Sequence, residues 1–462
     1  MPLLQSALDD RKHRGAYPTP HWLVDAVVAE AVAEPVVASS PGGEVVVVDP
    51  ACGDGRFLVA AARRVRALGG RPVLVGVDID AASIAASCTA VTAADPDATV
   101  ELTCGDARAQ RWPPRVDVVV GNPPYLNQLA AATSRGGASA LGGGPYADTA
   151  VEFLALATRL VRDGGRLGLV LPQSVLASRD AAPVRAELDG RGRITWSWWS
   201  PEPVFDAQVL VCAIVAEIDE AAAAARPAPP AAWTEIVTST LAVPTPGELA
   251  SDGCLAGRAR LTANFRDQYY GLVGAVVEDG PGPRLVTCGL VDPAHCAWGR
   301  RRVTFARRRY QRPTVDLAAL SPAMRRWAED LLVPKVLVAN QTTVIEAVVD
   351  DDGTWLPGVP VITARPLDGA DRWAIAAVLT SAVATVWAWH RAAGTGLSAH
   401  TVRLGPRWLG ELPWPAGDLT GAVTALRAGD VAACGRAVHA AYGLAPDDPA
   451  LGWWLERLPR RR

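Results

Sequence analysis

Val45-Val46-Val47-Val48-Asp49-Pro50-Ala51-Cys52-Gly53-Asp54-Gly55-Arg56-Phe57 is a β-branched run that stops at an acid, turns through two glycines and enters a helical pattern. An apolar run of this kind suits a parallel strand buried on both faces. The glycine turn lets a ligand come close to the backbone, as at the carboxyl edge of open α/β sheets. The third glycine of a dinucleotide fingerprint is missing. A carboxylate at the strand tip repels a pyrophosphate and attracts an ammonium group, so Asp49 turns the reading away from dinucleotides.

Outward from this turn, short β-rich runs alternate with helical patterns. The expected strands are Val45–Val48, Val73–Val77, Val100–Thr103, Val116–Val120, Leu167–Leu171, Thr195–Ser200 and Val209–Glu217, the last two forming a hairpin. The fold class is α/β, a Rossmann-like sheet that is mostly parallel with a C-terminal antiparallel hairpin. Thr149-Ala150-Val151-Glu152 reads as a capping box opening a helix through Leu154, Leu156, Ala157 and Leu160 that stops at Gly164-Gly165. The Gly-rich loop before it, about residues 126–146, is a substrate flap or a disordered segment. Residues 1–220 form the expected catalytic domain, the Ala/Pro tract 221–233 a linker, and 234–462 a mixed α+β second domain with irregular Pro/Gly spacing.

Half of the 462 residues are hydrophobic, enough to fill the cores of two large domains. A formal charge of −3 excludes a wholesale polycation but allows a local basic surface. Arginine carries nearly all the positive charge, Lys12 and Lys335 being the two lysines. The eight cysteines are scattered without a Cys-x-x-Cys pair, and Cys288, His295 and Cys296 match no usual ligand spacing, so buried thiols in a reducing cytoplasm and no metal are expected. The charged start around Asp9-Asp10-Arg11-Lys12 is unlike a secretory signal. The apolar stretch Ala374–Trp389 is shorter than the roughly 20 residues of a membrane span and reads as one buried helix.

Three acids follow successive strands: Asp49, Asp78 and Asp106. Asp49 suits an ammonium, Asp78 a pair of ribose hydroxyls, and Asp106 an exocyclic adenine amine. A ligand with an amino acid end, a ribose, an adenine and no phosphate is S-adenosylmethionine. Asn122-Pro123-Pro124-Tyr125 closes the strand Val116–Val120 and suits a planar amino group. Asn122 Oδ1 and the Pro123 carbonyl would accept its two hydrogens, and Tyr125 would cover its face. The nitrogen lone pair, drawn out of conjugation, would then point at the sulfonium methyl. Amines on a nucleobase or on a protein glutamine both fit this site.

Asp49-Pro50-Ala51-Cys52-Gly53-Asp54-Gly55, the acid Asp78, Gly105-Asp106 and Asn122-Pro-Pro-Tyr125 resemble motifs I to IV of the γ-class (TaqI-type) adenine-N6 DNA methyltransferases. Gly15-Ala16-Tyr17-Pro18-Thr19-Pro20 resembles the motif X that precedes motif I in that family, with Thr19 placed as a helix N-cap and Pro20 as the first helical residue. Val204-Phe205-Asp206-Ala207 resembles motif VIII. The resemblance implies that Thr19, Asp49, Pro50, Ala51, Cys52, Gly53, Asp78, Ile79, Asp106 and Asn122 bind the cofactor. It implies that Asn122, Pro123, Pro124 and Tyr125 act on the base, and that Tyr125 and Phe205 stack on it once it is flipped out of the duplex. Ala107 departs from the family pattern, in which a bulky apolar residue packs on the cofactor adenine; that contact then falls to Pro123 or Ile79. Asparagine rather than serine at position 122 favours adenine over cytosine.

The densest positive run, Arg300-Arg301-Arg302 and Arg307-Arg308-Arg309, is interleaved with Phe305 and Tyr310 and suits double-stranded DNA, through phosphates and guanine edges. The implied role is a site-specific DNA methyltransferase with a C-terminal target-recognition domain, partnered with a separately encoded restriction nuclease or defence proteins, or acting alone. RNA or protein glutamine methylation and a non-catalytic DNA-binding subunit are the alternatives. A large C-terminal half and an N-terminal motif X set the chain apart from the shorter glutamine enzymes.

Overall fold

A computed structural model describes residues 18–125, 141–205, 209–227, 231–264, 266–367 and 369–459. The chain divides into two compact units, Met1–Ile236 and Val237–Arg462.

The first unit is built on seven strands: β1 (Glu44–Asp49), β2 (Arg71–Asp78), β3 (Thr99–Cys104), β4 (Val116–Gly121), β5 (Val161–Pro172), β6 (Gly192–Trp199) and β7 (Val211–Ile218). They lie in the order β3-β2-β1-β4-β5-β7-β6. The first five run parallel, and β7 inserts antiparallel between β5 and β6. This is the expected Rossmann-like sheet, mostly parallel with a C-terminal antiparallel hairpin, and the strand order changes direction at β1/β4. A switch of that kind opens a crevice at the carboxyl ends of the two strands, between Asp49 and Asn122.

Helices α1 (His21–Ala31), α2 (Arg56–Ala67) and α3 (Ala81–Ala94) precede α4 (Thr149–Leu160) and α5 (Ala182–Arg191). Leu23, Val27, Leu58 and Val65 pack with Val45, Val47, Val118 and Val120 in the main core. Phe153 and Leu156 of α4 pack with Val77 and Ala107 in a smaller one. Burial on both faces is what the unbroken valine runs of β1 and β4 require.

Three local expectations change. The N-cap of α4 is Asp148, whose carboxylate accepts from Ala150 N, so Thr149 is the first helical residue and Glu152 is released to bind Arg108. The helix ends at Leu160, and Gly164-Gly165 lie inside β5. The Ala/Pro tract 221–233 starts within a short helix, Glu220–Ala224, as its alanines favour. Arg226 donates to the carbonyls of Asp189 and Gly192, and Trp233 Nε1 donates to Asp189 Oδ1 at 3.0 Å, so the described ends of this tract are tied to the first unit. The Gly-rich loop falls on residues 126–140, outside the described residues apart from its end at 141–146.

The second unit is mixed α+β. One four-stranded sheet orders Val276–Glu278, Pro313–Val315, Arg284–Val286 and Trp355–Pro357; another orders Ala347–Asp350, Lys335–Val338, Ile362–Pro366 and Ala259–Ala263. Lys335 faces Asp350 across the second sheet in a fully buried ion pair. The Asp350 carboxylate also accepts from Thr354 N and Trp355 N, so the pair is well supplied with partners. The stretch expected as one helix, Ala374–Trp389, is two, Arg372–Leu379 and Ala382–Ala392, bent by 59°. Ser381 causes the break: its hydroxyl caps the second helix at Ala384 N. Among the described residues no single helix is long and apolar enough to cross a membrane.

Candidate active site

The loops after β1, β2 and β3 are laced together by their own backbones. Cys52 N donates to Val77 O at 2.9 Å, Gly53 N to Asp78 Oδ2 at 2.9 Å, and Gly105 N to Asp78 O at 2.9 Å. Asp78 Oδ1 accepts from Asp80 N. Asp78 therefore organises all three loops while its carboxylate stays at the edge. Gly55 takes φ +81° at the entrance of α2, and a Cβ there would lie 2.5 Å from Ser87 Oγ. No other residue type can make this turn.

Asp49 is 1% exposed. Its Oδ1 accepts from Ala51 N at 3.0 Å, and its Oδ2 is buried with no hydrogen-bond partner. Burial pushes the carboxyl up to about 8, and the negative charges of Asp78 and Asp54 add to the shift against the Ala51 N–H. A buried acid in this state is an acceptor waiting for a cation. Gly121 makes room for it, since a Cβ at that position would lie 2.6 Å from Asp49 Oδ1.

One residue further on, Asn122 Nδ2 donates to Thr19 Oγ1 at 3.0 Å, and Tyr125 O–H donates to Asn122 Oδ1. Thr19 is buried and makes no helix cap; Pro20 occupies the N-cap position with φ −57°, and the Thr19 hydroxyl turns to the asparagine instead. The Thr19 carbonyl is held by Arg56, whose guanidinium also forks onto Asp54. The start of α1, the turn after β1 and the tip of β4 thus share one hydrogen-bonded chain, and its outcome is a fixed orientation of the Asn122 amide. Burial drives the Tyr125 phenol well above its ordinary range, so Tyr125 serves as a neutral donor. Phe205 lies with its ring centroid 6.3 Å from that of Tyr125 at an interplanar angle of 46°. Two stacking contacts of about 3.5–4.0 Å each need roughly 7–8 Å, so a base held between these rings would part them slightly. Asp206 and Ala207 lie outside the described residues.

Asp106 is engaged on both oxygens by Arg108, with Nη2–Oδ2 at 2.8 Å, and Arg108 Nη1 reaches Glu152 Oε2 at 2.9 Å. The guanidinium holds the Asp106 carboxyl below the usual carboxylate range. Ile79, beside Asp78, is 68% exposed, an apolar side chain without cover at the ligand edge, and Ala107 is buried beneath. These residues fit the groups of S-adenosylmethionine: an orphaned buried carboxylate oxygen for a cation, an acid at the second strand tip for hydroxyls, and an exposed Ile79 for a flat ring.

Sequence reasoning missed Arg56, Arg108 and Gly121. Each lies within two residues of a motif acid or of Asn122, and that adjacency was the available signal. Among the described residues no group of three or more His, Cys, Asp or Glu is placed to hold a metal ion. Cys88 and Cys104 are exposed thiols rather than buried ones.

The arginine run of the second unit separates into two sets. Arg301 is bound by both Asp292 oxygens and by the Gly289 carbonyl, and Arg302 Nε donates to Gln311. All six arginines are exposed, and among the described residues the side chains of Arg300, Arg307, Arg308 and Arg309 make no hydrogen bond or ion pair. Phe305 and Tyr310, interleaved with the run in sequence, are buried.

Residues 3–195 match the family model for N-6 DNA Methylase. No curated protein matches the chain. Among similar solved structures, the methyltransferase subunit of a type I restriction-modification system from Streptococcus thermophilus is 18% identical over 44% of this chain and 45% of its own, with a TM-score of 0.35. TrmN from Thermus thermophilus is 20% identical over 42% of this chain and 48% of its own, with a TM-score of 0.28. The type IIG restriction endonuclease BpuSI is 11% identical over 98% of this chain and 67% of its own, with a TM-score of 0.39. The aligned part spans less than half of the first two chains.

Proposed function

We propose that the chain is an S-adenosylmethionine-dependent DNA methyltransferase of the γ class that methylates adenine N6 in double-stranded DNA, working beside a restriction nuclease or other defence proteins. The observation that carries this reading is the Asn122 amide, oriented by Thr19 and Arg56 one residue from the glycine that accommodates Asp49. The match of residues 3–195 to N-6 DNA Methylase supports it.

The cofactor supplies a methyl group on a sulfonium, which leaves as the sulfur takes back its bonding pair. Asp49 accepts the ammonium end, Asp78 the ribose hydroxyls and Asp106 the adenine amine, while Ile79 covers the ring. An incoming amino hydrogen takes the acceptor on Asn122 Oδ1 now used by the Tyr125 hydroxyl, and the Pro123 carbonyl takes the second hydrogen. Both hydrogens are then drawn out of the plane of the base, the nitrogen becomes pyramidal, and its lone pair is freed from conjugation for attack. The proton leaves after the new C–N bond has formed, so no strong base is needed. Flipping the base out costs a few kcal/mol, and stacking on Tyr125 and Phe205 offsets about 1–3 kcal/mol for each base.

The test is to incubate the purified protein with labelled cofactor and duplex DNA and digest the product to nucleosides. Label in N6-methyldeoxyadenosine is expected. Label in a cytosine derivative, or transfer to RNA or protein but not to DNA, overturns the reading.

A further inference from the structure

Val303–Phe305 and Arg308–Tyr310 form an antiparallel hairpin, pairing Val303 with Tyr310, Thr304 with Arg309 and Phe305 with Arg308. Its two-residue turn is Ala306-Arg307, with φ +47° and +65°. Turns of this kind need the left-handed region at both positions and normally use Asn-Gly or Asp-Gly. Two residues with a Cβ are the disfavoured choice here, and strain of this sort persists only where surrounding contacts impose it. The contacts are present: Tyr269 O–H accepts from Ala306 N at 3.2 Å, and the Tyr269 ring lies 4.9 Å from that of Phe305. Phe305 and Tyr310 anchor the base of the hairpin in the core of the unit. A rigid, well-anchored ribbon therefore carries an arginine at its tip where a glycine would be easier to accommodate.

The charges are just as selective. Among the described residues, the side chains of Arg307, Arg308 and Arg309 are exposed and make no ion pair or hydrogen bond, whereas those of their neighbours Arg301 and Arg312 are neutralised by Asp292 and Asp279. The protein as a whole is acidic by three charges. Three adjacent unneutralised guanidiniums on a two-stranded ribbon call for a polyanion. A two-stranded ribbon fits the DNA major groove, about 12 Å wide, and not the minor groove at about 6 Å. The major groove of duplex RNA is too deep and narrow for side chains to read.

We propose that the hairpin Val303–Tyr310 enters the major groove of duplex DNA, with Arg307 forked onto O6 and N7 of a guanine in the recognition sequence and Arg308 and Arg309 on flanking phosphates. This rests on the DNA methyltransferase reading and deepens it by naming which arginines touch DNA and which base one of them reads.

The experiment measures binding of the full chain to a duplex DNA library across a salt series, together with sequencing of the bound and methylated sites. Arg308→Ala and Arg309→Ala should each weaken binding to all sequences alike and lower the salt slope by about 1. Arg307→Lys keeps the charge but loses the fork. It should leave binding to random duplex within about twofold, cut binding to the selected sequence by about five- to hundredfold, and relax one G·C position of the motif. The double variant Ala306→Asn, Arg307→Gly relieves the turn and should show the same relaxed position with an undiminished melting temperature, which separates lost contact from lost fold. Arg436→Ala, an exposed arginine on the helix Val431–Ala441, is the charge control.

An unchanged motif and affinity in Arg307→Lys overturns the guanine contact. An unchanged salt slope in the triple variant Arg307→Ala, Arg308→Ala, Arg309→Ala, or equal competition by duplex RNA, overturns the hairpin as a DNA reader. If hairpin-dependent DNA binding persists while no methyl is transferred, the inference stands and the enzymatic reading fails. The converse, transfer that ignores the hairpin, leaves the enzyme standing and removes this inference.

Discussion

The β1/β4 edge and the arginine hairpin, the two sites proposed to meet a ligand, hold their polar groups in opposite ways. At the edge the groups are buried or half-buried and locked in place: Asp49 buried against Gly121, Asn122 half-buried on Thr19, Asp78 half-buried across three loops. On the hairpin the charges stand in solvent and only the backbone is fixed. Chemistry at one atom demands the first arrangement, because a misplaced acceptor or an early water is fatal to it. Recognition of a polyanion tolerates the second, since each contact contributes separately and is screened by salt. Substitutions at the edge should therefore have large, coupled effects, and those on the hairpin small and additive ones.

The largest effect is expected at Asn122. Asn122→Ala should lower single-turnover methyl transfer by at least about 10²–10³-fold, as for loss of a preorganised polar group at a reacting centre, while calorimetry shows cofactor binding largely retained.

Asp49→Asn should weaken cofactor binding by about 1.5–3 kcal/mol, the range for a hydrogen bond to a charged group. The free protein should become more stable by about 1 kcal/mol or more, because a strained buried acid has been removed. The sign follows from linkage: the folded carboxyl sits at about 8 and the unfolded one near 3.8, so folding disfavours ionisation. Stability of the wild type then falls as pH rises from about 4 to about 8 and levels off above that. Cofactor affinity runs the other way and rises toward pH 8. Melting and titration series across that range should show both trends in the wild type, the stability trend reduced in Asp49→Asn to the share that buried Glu346, raised to about 7, still contributes, and the affinity trend reduced as well.

Gly121→Ala sharpens the comparison further, since it alters no polar group. Crowding of Asp49 Oδ1 should destabilise the fold by about 1–3 kcal/mol, read as a lowered denaturation midpoint. Thr19→Val removes the acceptor that orients Asn122 and should lower kcat about tenfold, roughly the worth of one hydrogen bond. A Thr19 that bound only the cofactor would instead raise KM with kcat unchanged, so the kcat/KM split separates the two roles. The same substitution on the hairpin face, Thr304→Val, should leave kcat unchanged.

The contrast between the two regions also explains what could be read from the sequence. The strands of the first unit were legible because runs such as Val45–Val48 and Val116–Val120 are largely buried and end at polar residues or a glycine turn. The same pattern made the positions of the motif acids and Asn122 at the strand tips legible. Their supports were not: Arg108 and Arg56 have side-chain types that fit many positions, and only three-dimensional proximity joins Arg108 to Glu152, 44 residues away. Thr19 was assigned a capping role by local pattern, and tertiary contact with Asn122, 103 residues away, overrode it. In the second unit, strands of three to five residues without a repeating period left no signal to follow. Phe305 and Tyr310 flank Arg307-Arg308-Arg309 along the chain, which gives no periodic signal of burial; both aromatics are nonetheless buried in the core of the unit.

The most direct test of the central claim is modification-sensitive long-read sequencing of DNA from cells expressing the wild-type chain or Asn122→Ala. N6-methyladenine at adenines in one sequence context, present with the wild type and absent with the variant, is the predicted result. Identical modification profiles in the two cell lines would contradict it.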